Sequence, residues 1–420
     1  MSKRRSPRRR PNWPYRIAWL SILSCVALYV FVQILIGAST FAKFGELVDW
    51  HSAVVSALLD VTVACWFFAV GASIGSFLNV VAFRLPQGRG IGGNSQCPYC
   101  CTAISRSDNI PILSWFKLRG RCRTCRLPIP ARYVVIEIAV AIVFSVLYYS
   151  EFYSGGRNLP GVAGLPFGAS ALARVTVSTE LVIRMIIHAF ALGGLIAAAL
   201  IAVRKQKVPL GLYLWCLLAI VVAAIVIPQS QIIRWRKFLP AGVDVRLDAL
   251  ATVLCGCVAG IAMARLLAPL LYPGFDRSLM SSDRETSGAR QFVGALAVAG
   301  ALTGWQSVIP LTFVLLLCAI IALRCLRRFA AVAWMADLTV WVWLGHLVFR
   351  AFWKPIYSLH IYLPNVAEPI VTYTLGALAT APLAIVFCRY SRALAPEPNQ
   401  EPQQDEDDDE DEFEAEEADS

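Results

Sequence analysis

Four cysteines stand in two Cys-x-x-Cys pairs, Cys97/Cys100 and Cys122/Cys125, with 21 residues between the pairs. Two thiolates on one tight turn can hold a metal ion from the same side, and two such turns complete a tetrahedron. This is the spacing of a closed, four-sulfur structural zinc site. A disulfide framework is the competing chemistry. It is disfavoured because the surrounding loop is rich in arginine and reads as cytoplasmic, where thiols stay reduced. Cys101 follows Cys100 directly and could stand in for it, but the Cys-x-x-Cys spacing favours Cys100.

A second group with chemical potential is acidic. Asp60, Glu137, Glu180 and Asp337 lie in or near apolar runs, where ionisable groups are expensive and often functional. Glu180, Arg184 and His188 fall at i, i+4 and i+8 on one helical face. That stripe allows a buried ion-pair relay or a self-neutralising structural pair, and Glu four residues before Arg favours the pair. With four histidines in the chain (His51, His188, His346, His360), a serine or cysteine triad has little support. No phosphate-binding loop, dinucleotide fingerprint, EF-hand or solenoid-length repeat is present. The basic loops and cysteine turns alone do not support a nucleic-acid role.

The elements that must carry these residues are membrane helices. The 420-residue chain is 57% hydrophobic and 16% charged, with a mean hydropathy of +0.60. Soluble domains do not reach that balance, so the expected fold class is an all-α polytopic membrane protein with a small cytoplasmic four-cysteine zinc loop. About ten spans are expected: 16–38, 53–83, 132–150, 178–203, 208–228, 247–272, 292–304, 307–325, 329–352 and 371–388. Ten spans place both termini in the cytoplasm, and most basic loops agree; Arg234, Arg236, Lys237 and Arg246 do not. Eight further cysteines, at 25, 65, 216, 255, 257, 318, 325 and 388, sit in apolar runs and read as small buried hydrophobes.

The expected organisation runs from a basic leader (1–15) and an added anchor with its loop (16–52) to an amino-terminal domain (53–150) carrying the zinc loop 84–131. A transmembrane domain (151–390) and an acidic tail (391–420) follow. Arg4, Arg5 and Arg8 to Arg10 before an apolar run fix orientation rather than mark a cleaved signal. Within 53–83, Gly71, Ala72, Ser73, Gly75 and Ser76 form a small-residue face for close helix packing, and Asn79 suits a helix–helix hydrogen bond. Residues 405–419 hold twelve acidic side chains, which cannot bury a core. Without them the formal charge of the rest rises from +10 to +22.

One long stretch resembles a known family. Gly75-Ser76-Phe77-Leu78-Asn79-Val80-Val81, Arg84-Leu85-Pro86, both cysteine pairs, the run from Asp108 to Trp115, Arg119-Gly120-Arg121, and Ala131-Arg132-Tyr133 through Glu137 are similar to the amino-terminal domain of prepilin peptidases. The resemblance covers residues 71–137. It implies a multi-pass bacterial inner-membrane aspartic endopeptidase that cleaves type IV prepilin or pseudopilin leaders. It further implies methylation of the new amino terminus, with S-adenosylmethionine as cofactor. Membrane lipid, prepilin substrates and pilus or type II secretion assembly proteins are the partners it implies; no nucleic acid is among them.

An aspartic protease needs two carboxylates close enough to share a proton, one activating water while the other protonates. The resemblance places the first before Pro209 and the second before the run Gly300 to Gln306. Ala202 stands at the first position, and counting back from the second anchor lands on Gln291 or Phe292. Neither is acidic, although Gly288 resembles a remnant of the second motif. Asp283, with Glu285 beside it, is the nearest acid for a displaced role, and Asp248 reads as a helix N-cap. The expectation is therefore a family member that holds zinc and handles pilin-like proteins without cutting them. Two alternatives are an active peptidase or methyltransferase using displaced acids, and a structural component of a pilus or type II secretion assembly.

Overall fold

The computed structural model describes residues 50–159, 179–231, 244–272, 284–326, 337–358 and 369–392, apart from Asn94 and Pro98, together with Ala27, Phe31 and Val32. The basic leader, most of the first expected span, Asp283 and the acidic tail lie outside them. So do the side chains of Glu180 and Glu285, although their backbone is helical.

The described chain is helical. Its long helices are α1 (Trp50–Arg84), α3 (Arg132–Leu147), α4 (Thr179–Val203), α5 (Leu210–Val226), α6 (Val245–Leu271), α7 (Arg284–Thr303), α8 (Val308–Leu326), α9 (Leu338–Ala351) and α11 (Pro369–Arg392). Two short helices, α2 (Leu113–Lys117) and α10 (Trp353–Ser358), lie between them. The only extended pairing among the described residues is two isolated bridges in the loop after α1. Among the described residues, six helices have the length and apolar composition to cross a membrane, and α5 and α9 are shorter apolar helices. Helix α7 starts at Arg284, so the short 292–304 expectation becomes a 20-residue helix. Helix α9 starts at Leu338, where Asp337 caps it by accepting a bond from Thr339 N at 2.8 Å, and residues 329–336 of the expected span lie outside the described residues.

Glycine decides which helices meet. Helices α1 and α3 form an antiparallel pair in which a Cβ on Gly71 would lie 2.8 Å from both Ala141 Cα and Phe144 Cβ. One on Gly75 would lie 2.9 Å from Glu137 Cα. These two positions of the expected small-residue face let the backbones touch, while Ser73 is exposed. Gly256 and Gly260 on α6 do the same against the backbone of Gly300 and Leu296 on α7. Asn79 spans the α1–α3 pair as expected, its Nδ2 donating to Tyr133 O at 3.3 Å.

Helix α6 is capped by Asp244, whose Oδ1 accepts from Arg246 N at 3.0 Å, and not by Asp248. Asp248 instead lies buried in the first turn, where the helix path and not residue type alone sets the cap position. The membrane cysteines divide: Cys216 and Cys388 are buried, but Cys65 and Cys325 are exposed on the helix surface. Periodicity in an all-apolar helix cannot tell the lipid side from the packed side.

The bundle has two polar ends. At one, Arg204 lies within electrostatic reach of Arg132 and Tyr133, so the turn after α4 sits beside the cysteine loop. At the other, the end of α3 meets the end of α9. On α4, His188 and Val203 are separated by about 22 Å of helix, most of the apolar thickness of a bilayer.

Candidate functional site

The cysteine loop consists of two copies of one turn. In the first, Cys97 N donates to Thr102 O at 3.0 Å, and Cys101 N returns to Cys97 O at 2.9 Å. In the second, Cys122 N donates to Leu127 O at 2.9 Å, and Arg126 N returns to Cys122 O at 3.1 Å. Each turn is closed by one bridge, Gln96 with Ala103 and Arg121 with Pro128. The residue after each second cysteine, Cys101 or Arg126, has a positive φ of 54° or 64°. That left-handed step swings the chain away so that both sulfurs of a turn face inward.

The four sulfurs of Cys97, Cys100, Cys122 and Cys125 lie within 4.8 Å of one another, with Cys97 Sγ and Cys125 Sγ 3.8 Å apart. A tetrahedron with metal–sulfur bonds of about 2.3 Å has edges of about 3.8 Å, so the set fits a metal ion. Thr102 holds the Cys100 thiol down at about 6, through its side chain and then its backbone. The backbone of Cys125 and Thr124 lowers Cys122. These donors favour thiolates, the form that binds metal, at Cys100 and Cys122, whereas Cys125 is pushed up to about 11, the Leu127 backbone lowering it but burial and the neighbouring cysteine sulfurs outweighing that. Cys101 is exposed and outside the cluster, whereas Cys100, the cysteine favoured by spacing, lies within it.

Two further contacts brace the loop. Asp108 is buried and receives Arg123 Nη2 at 2.6 Å and Lys117 Nζ at 3.3 Å. These partners, Arg123 first, hold its carboxyl well below the usual carboxylate range. Glu137, an acid singled out in an apolar run, reaches back from α3, and its Oε2 accepts Ile112 N at 2.6 Å. Its use is to tie the loop to the helix pair.

The turn after α4 and the first half of α7, the segments that carry Ala202 and Phe292, are joined by one hydrogen bond. Gln291, at the start of α7, donates through Nε2 to Gln206 O at 3.1 Å, four residues beyond Ala202. Tyr213 OH donates to Gln291 O at 3.1 Å, so α5 joins the same junction. Ala202 and Phe292 are both buried. Asp337 lies within electrostatic reach of Tyr213 and Tyr272, and Gly288 leaves room for the Tyr272 ring, where a Cβ would lie 2.9 Å from it. Asp283, the nearest acid in sequence, is outside the described residues.

The other polar end contains a cluster that spacing alone did not reveal. Arg350 Nε donates to Glu151 Oε1 at 2.6 Å, with Arg350 Nη2 pairing to the same oxygen. His188 Nδ1 lies 3.7 Å from Glu151 Oε2. Glu151, His188, His346 and Arg350 are all buried. Asn158 Nδ2 donates to Arg350 O, and Lys354 N to Asn158 O at 3.0 Å. Arg184 and His188 of the expected stripe are buried, but the carboxylate seen beside His188 is Glu151, from another helix. The signal was present in the sequence as a lone Glu and a lone Arg in apolar surroundings, 199 residues apart. Asp60 is likewise buried, within α1.

Residues 69–151 match the family model described as Bacterial Peptidase A24 N-terminal domain. The prepilin leader peptidase/N-methyltransferase of Myxococcus xanthus (strain DK1622) is 43% identical over 82 residues, covering 19% of this chain and 24% of that protein. That of Klebsiella pneumoniae is 41% identical over 91 residues, covering 20% of this chain and 40% of the relative. The type 4 prepilin-like proteins leader peptide-processing enzyme of Escherichia coli O78:H11 (strain H10407 / ETEC) is 40% identical over 93 residues, 18% of this chain and 35% of that protein. The chain thus spans between about a quarter and two fifths of the length of these relatives. No solved structure matches. The match ends at Glu151, just past α3, whose carboxylate pairs with Arg350 of α9, and contains the four metal-ligand candidates found among the described residues and the Glu137 tie. Residues 69–151 are thus similar to the Bacterial Peptidase A24 N-terminal domain and to the corresponding part of prepilin leader peptidases, within a chain that carries six helices able to cross a membrane among its described residues.

Proposed function

We propose that this chain holds pilin-like substrates at the membrane without cleaving their leaders, on a domain stapled by zinc at Cys97, Cys100, Cys122 and Cys125. One observation carries the reading. The junction of the α4–α5 turn with the start of α7, where the family resemblance puts the two acids, is joined by the Gln291–Gln206 bond and carries Ala202 and Phe292. A shared-proton dyad needs two carboxylates a few ångströms apart. A methyl group and a buried phenyl ring supply neither, and a carboxamide cannot hold or release the proton. Asp337 is a single acid engaged in capping α9. Zinc, once bound, supplies four sulfur bonds that fix the loop, and the chain's own residues do the rest of the positioning. In this reading the protein sits in the inner membrane with the cysteine loop and both termini in the cytoplasm.

The test mixes purified, zinc-loaded protein in detergent with a model prepilin and S-adenosylmethionine, and reads leader cleavage and amino-terminal methylation by mass. Wild type is expected to bind the prepilin and leave its leader intact. The double variant Ala202→Asp, Phe292→Asp is expected to gain measurable cleavage, provided it retains its zinc. Cleavage by wild type that is lost in Asp283→Asn or Asp337→Asn overturns the reading in favour of displaced acids. Absence of prepilin binding overturns the substrate-holding role.

A further inference from the structure

The Pro111–Leu113 turn is strained in a way the metal site does not require. Ile112 has φ 61° and ψ −57°, and Leu113 N donates to Pro111 O at 2.6 Å, closing a three-residue turn about a β-branched residue. Such a turn is rare for any residue, and a positive φ at isoleucine is an outlier. Strain of this kind persists only where the surroundings hold it, and it concentrates at functional positions. Here the Glu137 carboxylate holds it, by the bond to Ile112 N. Glu137 lies five residues into α3, about 7.5 Å along the helix from Arg132, and inside the apolar span Arg132–Tyr153. The turn is thereby drawn down beside the helix pair, level with the first turns of the apolar stretch of α3.

What this depth places there is apolar. Ile110, Leu113 and Phe116 recur at every third position and are 48%, 54% and 44% exposed. Ser114 between them is buried and accepts Ile110 N at 2.8 Å, so the short helix has an inward and an outward side. Immediately beyond, Lys117, Arg119, Arg121, Arg123 and Arg126 line one cleft. Apolar side chains next to a basic cluster, tethered at both ends to membrane helices, have the composition of an interfacial element.

We propose that residues Ile110–Lys117 insert Ile110, Leu113 and Phe116 into the headgroup–acyl boundary of the bilayer, and that the adjoining arginine cleft takes the phosphate of an anionic lipid. Glu137 sets the insertion depth through Ile112. The loop is then anchored to lipid as well as to metal, which fixes its height above the rest of the bundle. The lipid is identified by charge and by depth, and no feature of the cleft distinguishes among anionic headgroups.

The full chain, reconstituted in vesicles of phosphatidylglycerol and phosphatidylethanolamine, tests this with the photo-crosslinking residue p-benzoylphenylalanine replacing Leu113, Phe116 or, as a control, Tyr99. Tyr99 is 57% exposed but lies on the first cysteine turn. Four bound sulfurs, read as zinc content, confirm folding of each variant. The expected result is several-fold more lipid adduct at 113 and 116 than at 99, with phosphatidylglycerol over-represented. The Arg119→Gln, Arg126→Gln pair is expected to remove that headgroup bias while leaving the adducts. Adducts at 113 and 116 no more frequent than at 99, or formed with a polypeptide instead of lipid, overturn the proposal. An intact chain without headgroup bias overturns the assignment of the cleft.

Discussion

Glu151 and Arg350 are 199 residues apart in sequence and share a hydrogen bond of 2.6 Å in the buried interior. This contact joins the last residue of the family-matched segment to a helix outside it. It couples the hairpin α1–α3 to the rest of the bundle at the end opposite the cysteine loop. An interior ion pair adds little net stability over apolar packing, but breaking one partner leaves a charge with no water to solvate it.

Arg350→Met should therefore cost about 3–5 kcal/mol, read as a fall in the thermal midpoint of the protein in detergent. The double variant Glu151→Gln, Arg350→Met should recover most of the loss, because both charges are gone. A single variant as stable as wild type would show that the pair does not hold the two parts together.

Removing the metal should open the cysteine loop without melting the bundle. With zinc chelated or in Cys122→Ser, the amides of Cys101 and Arg126, which close the two turns, should exchange with solvent far faster. Protons compete with the metal for sulfur. Zinc should therefore be retained at neutral pH and released progressively as the pH falls. Release measured with a chromophoric chelator as the pH is lowered checks the sign.

Asp108 supplies a second pH dependence of defined direction. Arg123 and then Lys117 depress its carboxyl in the folded loop, so its contribution is present above the unfolded value of about 3.9 and is lost as pH falls through the folded one. Asp108→Asn should speed hydrogen exchange across residues 105–123 relative to wild type at pH 7. The ratio of the two rates should approach one in strong acid, where the wild-type carboxyl is also neutral. A ratio independent of pH would remove the ion pair from the explanation.

The sequence by itself determined what local chemistry can encode. The mean hydropathy and the apolar runs specify helices in a membrane because unpaired backbone amides cannot be left in lipid. The Cys-x-x-Cys spacing specifies a four-sulfur site because two tight turns need nothing from the rest of the chain except proximity. Asn79 and the Gly71/Gly75 face were legible for the same reason, since i and i+4 positions share a helix side.

Tertiary packing decided the remainder. Helices apolar on all sides carry no signal for which neighbour they choose, so the meeting of Glu151 with Arg350 and of Gln206 with Gln291 could not be read from periodicity. A helix cap also moved: α6 is capped by Asp244, a position set by where the segment enters the bundle. Glu137 shows the difference most plainly. Sequence marks it as an acid in an apolar run, and only the fold brings Ile112 N within 2.6 Å of its carboxylate, giving that charge a partner inside the span.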